Sequence, residues 1–386
     1  MKQVSLEKPL QDIVVLDLSQ FLSGPSASLK LADLGARVIK IEKPIEGDIC
    51  RHLYNSNVVL NGVSSVFHAI NRNKESLVLD LKQEDGKRKL TKLIQSADVL
   101  IHNFRPGVID HLGFAYDVVR QINPRIVYGE ISGYGKAGPW KDKPGQDLLV
   151  QAISGLTTLS GNDGMGPVAM GLPIVDILAG SHLVQGVLAC LVRRAVTGLG
   201  GLVEVSMLES ILEFQFESIT TYFRDGGAPT IRTKQNNAHA YLGAPYGIYQ
   251  TKDGFLALAM GSIVDLGYLL RCEPLKEYVT YESWFDKRDE IKAILAEHLQ
   301  KESTQFWLSL LEPADYWCAD VLDWERLFKT DAFQVLEMIQ TVQMGDGFEY
   351  KTSRCPIQID DRLLRSAIGS PKLGEHNASI EKEFGL

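Results

Sequence analysis

Residues 13–51, IVVLDLSQFLSGPSASLKLADLGARVIKIEKPIEGDICR, decide the fold. The run IVVLDL is continuous and apolar, as a strand covered on both faces must be. A Gly-Pro pair at 24–25 reads as a tight turn, the next residues as an amphipathic helix over about 26–34, and RVIKIE (37–42) as a second strand. Such a β-turn-α-β unit delivers a ligand to the carboxyl ends of its strands. Gly24 stands alone in its turn, so the Gly-x-Gly-x-x-Gly spacing that a dinucleotide's pyrophosphate needs is missing.

The same pattern repeats outward. SLVLDL (76–81), a charged helix over 84–95, DVLIHNF (98–104), a short helix near 116–122 and RIVYGEIS (125–132) extend the series. Apolar runs alternating with helical periodicity predict a doubly wound, mostly parallel α/β sheet. Further along, DLLVQAISGL is helical, the glycine-rich GNDGMGP (161–167) is a loop, and a long helix covers about 176–196. GLVEVSM (201–207) is one more strand. The polar stretch 224–245 reads as a linker, and YGIYQTKDGFLALAM (246–260) as a hairpin turning at Asp-Gly. A helical region over about 283–339 and a strand pair around 347–360 complete the chain. The expected layout is a large α/β domain over 1–200, a linker helix over 201–226, a small α+β domain over 227–325, and a return segment over 326–386 that completes the large domain.

Bulk properties narrow the function. The 386 residues carry 40 Lys and Arg against 48 Asp and Glu, a net charge of −8, with no basic run; nucleic-acid binding is not expected. Five scattered cysteines, odd in number and without a Cys-x-x-Cys pair, suit reduced thiols in the cytoplasm rather than disulfides or a metal site. MKQVSLEKPLQD has no apolar core, so no signal peptide is expected. The apolar stretch near 183–192 is interrupted by Gln185 and Gly186 and ends at Arg193 and Arg194; it reads as too short to span a bilayer.

Candidate chemistry gathers where strands end. Lys43, Lys82 and Arg105 each follow a predicted strand, so three cations are placed to converge on one phosphate-bearing ligand. Asp176 opens the long helix. It reads either as an N-cap accepting orphan amides, or as a carboxylate kept ionised by the positive helix end and competent as a nucleophile toward an acyl carbon. Asp147, in KPGQDLLVQ, is by default another N-cap. No P-loop, Gly-x-Ser-x-Gly, or Cys/His metal spacing is present.

Taken in order, VLDLSQFLSGPSASLKLADLGARVIKIEKP, NRNKESLVLDLK, ADVLIHNFRPGVIDHLGF, NPRIVYGEISGYGKAGP, GQDLLVQAISGL, VDILAGSHLVQGVLACL, APYGIYQTKDG and PKLGEH resemble the segments of family III CoA-transferases, over nearly the whole chain. The resemblance implies a Rossmann-like large domain, a smaller domain and an interlocked homodimer. It implies coenzyme A, as an acyl-CoA substrate, and a carboxylic acid acceptor, with no metal and no membrane. It puts the nucleophile at Asp176. Leu22 and Ser23 fall on the loop beside the thioester, Lys43 on a contact to the CoA phosphates, and Leu79 to Lys82 and Asn103, Phe104 and Arg105 on segments around the nucleotide and pantetheine. His111 falls where formyl-CoA transferase has Arg. Pro144 to Asp147, including Gln146, fall on another ligand-lining loop.

Three rivals remain at this stage, one of them a catalytically silent CoA-binding scaffold, against which the retention of Asp176 and its surrounding loops argues. Acyl-CoA racemases of the same fold carry a proton-shuttling histidine where this chain has Gln146, which cannot exchange protons at neutral pH. An NAD-dependent oxidoreductase would use Glu42, at the end of the second strand, as a ribose ligand. The polar stretch 224–245, with Arg224, Arg232, His239 and Tyr241, is a candidate lining for the acceptor pocket.

Overall fold

The computed structural model describes residues 8–224 and 226–386. Part of the amino-terminal stretch expected to lack a signal segment lies outside them, as does Asp225 within the polar linker. Among the described residues two compact units emerge, one formed by those up to Val150 together with 173–214 and 336–386, and the other by 151–172 and those between 215 and 335.

In the first unit, strands β1 (Val14–Asp17), β2 (Arg37–Glu42), β3 (Glu75–Val78), β4 (Val99–His102), β5 (Val127–Ser132) and β6 (Gly201–Ser206) form one sheet in the order β3-β2-β1-β4-β5-β6. Every pairing is parallel, with Val15 opposite both Val38 and Val99. The connections reverse direction between β1 and β4. In open sheets of this order, the crevice outside the carboxyl ends of such strands is the usual place for a ligand.

Helices α1 (Ser23–Asp33), α2 (Glu84–Ser96), α3 (Tyr116–Ile122), α4 (Asp147–Ile153) and α5 (Ile174–Thr197) follow successive strands or loops. Helix α2 buries Leu90, Leu93 and Ile94, three and four residues apart, and turns its charges outward. The core joins Leu16, Ile39, Leu77, Leu100 and Tyr128 from the sheet with that stripe. Strands β3 and β4 are shorter than the predicted 76–81 and 98–104, because the chain leaves the sheet once the paired register ends.

Two expectations change here. The Gly-Pro pair is not a turn but lies in the first turn of α1, where proline's fixed φ suits a helix start. The bend sits upstream, with Phe21 at φ 63°. The apolar stretch near 183–192 belongs to a 24-residue helix, α5, which by length and composition is long and apolar enough to cross a membrane. Gln185 and Gly186 do not break it, since neither interrupts the backbone ladder. Here α5 packs on α1, β5 and β6.

Gly180 explains how closely α1 and α5 meet. A Cβ there would lie 2.4 Å from Ser26 Oγ and 2.7 Å from the Ser23 carbonyl oxygen. Only glycine permits that approach, and Asp176 lies one helical turn earlier on the same face.

The second unit has an antiparallel sheet of β7 (Gly247–Gln250), β8 (Phe255–Leu258) and β9 (Cys318–Asp320), ordered β9-β8-β7, as the hairpin reading expects for 246–260. Tyr249, Leu256, Leu266, Ile291, Leu295 and Trp307 fill its core. The region read as helical to 339 ends earlier. Residues Ile339–Gln343 and Glu349–Ser353, in the first unit, pair as an antiparallel hairpin instead, so the predicted strand pair is displaced toward the amino terminus. Alternate residues of the first strand are buried, a two-residue period that the helical reading overlooked.

Replacing Gly180 with alanine must part the two helices. We expect Gly180→Ala to fold but to lose about 1–3 kcal/mol of stability, seen as a lower Tm, because nothing flexible can yield on the Ser23 backbone side.

Candidate active site

The switch-point crevice is built from two loops that hold one another. After β1 the chain runs through Ser19–Leu22, and after β4 through Asn103, Phe104 and Arg105. Asn103 Oδ1 accepts from the Gln20 N–H at 2.8 Å, and its Nδ2 donates to the Gln20 carbonyl at 2.7 Å and to Ser23 Oγ at 3.2 Å.

Asp176 is the third residue of α5, not its N-cap, which is Pro173. The capping is done from elsewhere: Asp147 Oδ2, buried at the start of α4, accepts from the N–H groups of Val175 at 2.8 Å and Asp176 at 3.1 Å. The helix amides are thus answered by Asp147, and the half-buried Asp176 carboxylate is left to the Ser23 hydroxyl and backbone N–H.

The electrostatics also depart from expectation. Burial, and then the charge of Asp147, push the Asp176 carboxyl up to about 7, against the hydrogen bonds of Ser23. The helix dipole does not keep it a fully ionised group, since desolvation and a like charge outweigh it. A carboxylate of such basicity is a stronger nucleophile than an ordinary one and is still half ionised near neutral pH.

Beneath the turn lies a buried chain of alternating charges. Lys74 Nζ is 3.1 Å from Asp17 Oδ2; Lys40 Nζ is 3.9 Å from the same oxygen and 2.8 Å from Asp48 Oδ2. Burial alone would raise the Asp17 carboxyl, but Lys40, Lys74 and the hydroxyls of Ser19 and Ser28 hold it well below its usual range. Burial brings the Lys74 ammonium down to about 8 against the pull of Asp17.

Beside the crevice a cleft of about 490 Å³ is lined by Phe104, Arg105, Tyr116, Tyr128, Glu130 and Lys136, among others. The His102 ring stacks on Phe104, and its Nε2 lies 2.9 Å from the Tyr128 hydroxyl, which donates to the Phe114 carbonyl. Burial lowers the His102 imidazole to about 3, so it stays neutral. Lys136 bridges Glu130 and Glu204 at 2.8 and 2.7 Å.

The residues named from sequence therefore divide. Ser23, Asn103, Asp147 and Asp176 come together. Leu22 packs beside them on Cys50, Phe67 and Ile70. Phe104 and Arg105 line the cleft. The expected convergence of three cations is not what the structure shows: Lys43, Lys82 and Arg105 are all exposed, Lys43 is paired with Glu46, and Arg105 alone of the three lines the cleft, because β1 separates β2 and β3 from β4. The Leu79 side chain is in the core. Exposed His111 engages the Gly107 carbonyl, and Gln146 is exposed, its carbonyl accepting from Val150. Glu42 is unavailable to a ribose, since its carboxylate takes Arg51, Ser76 and the Asp48 N–H. In the second unit, Arg232 spends its guanidinium on the carbonyls of Ser160, Met165 and Gly166, which makes it a brace for the glycine-rich loop. Asp48 went unmarked in the sequence; its one signal was the Gly-Asp turn after β2.

Known proteins resemble this chain over nearly its whole length. The profile of CoA-transferase family III matches residues 10–377. The chain is 33% identical to the acetyl-CoA:oxalate CoA-transferase of Acetobacter aceti, over 97% of this chain and 96% of that protein. It is 32% identical to the mouse succinyl-CoA:glutarate CoA-transferase, over 97% and 86% respectively. The crystal structure of a CaiB/BaiF family protein from Brucella suis superposes with a TM-score of 0.85 at 29% identity, covering 98% of this chain and 99% of that one. With a full-length profile match, curated relatives above 30% identity and the same fold, this chain belongs to the family III CoA-transferases and is an enzyme of that class.

Proposed function

We propose that the enzyme moves CoA between short carboxylic acids through covalent intermediates on Asp176. One observation carries this reading. A basic carboxylate at the crevice is relieved of helix capping by Asp147 and addressed by two donors from Ser23. Asp176 attacks the thioester carbonyl of the donor, the C–S bond breaks, and CoA leaves as a thiolate from a mixed anhydride. The thiolate then attacks the aspartyl carbon, expelling the donor's carboxylate and leaving an aspartyl-CoA thioester. The acceptor carboxylate displaces CoA from that thioester to form a second anhydride, and the returning thiolate attacks the acceptor's acyl carbon. The new acyl-CoA departs and Asp176 is restored. The backbone N–H of Ser23 holds the oxyanion in each addition, a charge-stabilising role suited to a fixed donor.

The CoA moiety is assigned to the switch-point crevice and adjoining cleft. Phe104 and Arg105 flank the nucleotide, Lys43 and Lys82 reach for its phosphates, and the backbone at Leu79, with His111 and Gln146, completes the lining. Lys43 must exchange Glu46 for phosphate. The acceptor is a short dicarboxylate and the donor succinyl-CoA or acetyl-CoA; this is supported by relatives named for oxalate and glutarate, both dicarboxylic acids. The enzyme works as an interlocked homodimer in the cytoplasm, without metal or membrane. Gln146, which cannot shuttle a proton, weighs against the racemase chemistry of related folds.

Two measurements test the mechanism. Hydroxylamine added during turnover converts Asp176 to a hydroxamate detectable by peptide mass, and Asp176→Ala lowers CoA exchange by about a thousandfold or more. Exchange that survives the substitution, with no hydroxamate formed, refutes the assignment.

The pH profile supplies a third. The nucleophile is the ionised form, present above about 7 and lost as pH falls through that value. For the free enzyme, kcat/KM should fall about tenfold per pH unit on the acid side. An acid limb near pH 4 would show that the carboxyl titrates as an ordinary exposed one.

A further inference from the structure

Phe21 is a bulky residue in the left-handed region, at φ 63°, with its ring half exposed. Nothing about phenylalanine favours that backbone, so surrounding contacts must impose it. They are on either side. The Phe21 N–H donates to Asp48 Oδ1 at 3.1 Å, an oxygen that also accepts from the Cys50 N–H at 2.9 Å. The other Asp48 oxygen faces Lys40 Nζ, which donates to the Ser19 carbonyl at 2.8 Å. From the opposite side Asn103 takes both backbone groups of Gln20.

The same Asn103 amide reaches further. Its second N–H donates to Ser23 Oγ, so that hydroxyl is an acceptor on one side and keeps its own proton for Asp176. Both N–H groups of the amide are used up within the protein.

We propose that Asn103 and Asp48, the latter seated on Lys40, are positioning residues that hold the Ser19–Leu22 turn in the one shape aiming the Ser23 hydroxyl and N–H at the Asp176 carboxylate. This rests on Asp176 being the nucleophile, and extends it to groups that act on its carboxylate through Ser23. Two elements face the Asp176 carboxylate: α4 brings the charge of Asp147, which favours the protonated form, and α1 brings the uncharged donors of Ser23, which favour the ionised one. Losing the clamp removes the second influence and leaves the first.

The test uses full-length protein labelled with 13C at the aspartate carboxyl carbon and titrated by NMR without substrate. Asp176 is identified as the resonance missing from Asp176→Asn. Ser23→Ala sets the scale by deleting the hydroxyl. Asn103→Ala and Asp48→Asn should each raise the Asp176 midpoint by about half a pH unit or more. Arg37→Ala, which breaks surface ion pairs at the other end of β2, should leave it unchanged. Should Asp48→Asn fail to fold because Lys40 loses its partner, Asn103→Ala, outside the charge chain, decides alone. An unmoved midpoint in a folded Asn103→Ala protein, with only a lower Tm, assigns the clamp a purely structural role and overturns the proposal. So does an unmoved midpoint in Ser23→Ala. No acyl-CoA is present, so failure of the transferase mechanism would register separately, as lost exchange with the titration shifts intact.

Discussion

Everything at the crevice depends on one division of labour between two carboxylates. Helix α5 begins with amide groups that need acceptors, and a carboxylate within its first turn would ordinarily supply one. Asp147 reaches across from α4 to take the Val175 and Asp176 amides. That frees Asp176 from structural duty, while the charge of Asp147 and the burial of the site make Asp176 more basic. A group that caps a helix is stabilised as an anion and is correspondingly unreactive. Separating the two roles produces a carboxylate with a reason to react.

The separation works only because the neighbouring helix comes close enough to bring donors. Gly180 lets α1 approach until Ser23 lies beside Asp176, and the sheet order places the β1 and β4 loops on either side of the crevice. The strand order matches that of dinucleotide-binding proteins, but the acid at the end of β2 is consumed by Arg51 and Ser76. The same architecture thus presents a different set of free groups, and function follows from those groups rather than from the sheet.

Much of this was legible in the sequence and some could not have been. Strand β2 occupies 37–42 as its apolar run required, and α2 buries the stripe that its spacing announced. These are local patterns, set by burial on one face or two. Asp176 looked like a cap because only nearby residues enter a capping rule, and Asp147 is 29 positions away. The bend at Phe21 carried no signal at all, since its left-handed backbone is imposed by Asn103 and Asp48 from distant segments. Lys43, Lys82 and Arg105 occupied equivalent places in the pattern, but strand order, which decides their separation, is not written in the spacing of strands along the chain. Only the family resemblance pointed to Asp176 as more than a helix start, because its segment carries no local signal of another role.

The buried run Lys74–Asp17–Lys40–Asp48 limits how this sequence can drift over generations. Each member answers its neighbour in the absence of water, so a neutral replacement at one site leaves a buried charge with fewer partners and costs stability. Concerted change of both partners of a pair therefore costs less than loss of one partner alone. In a randomised library those four positions should behave as a single heritable unit.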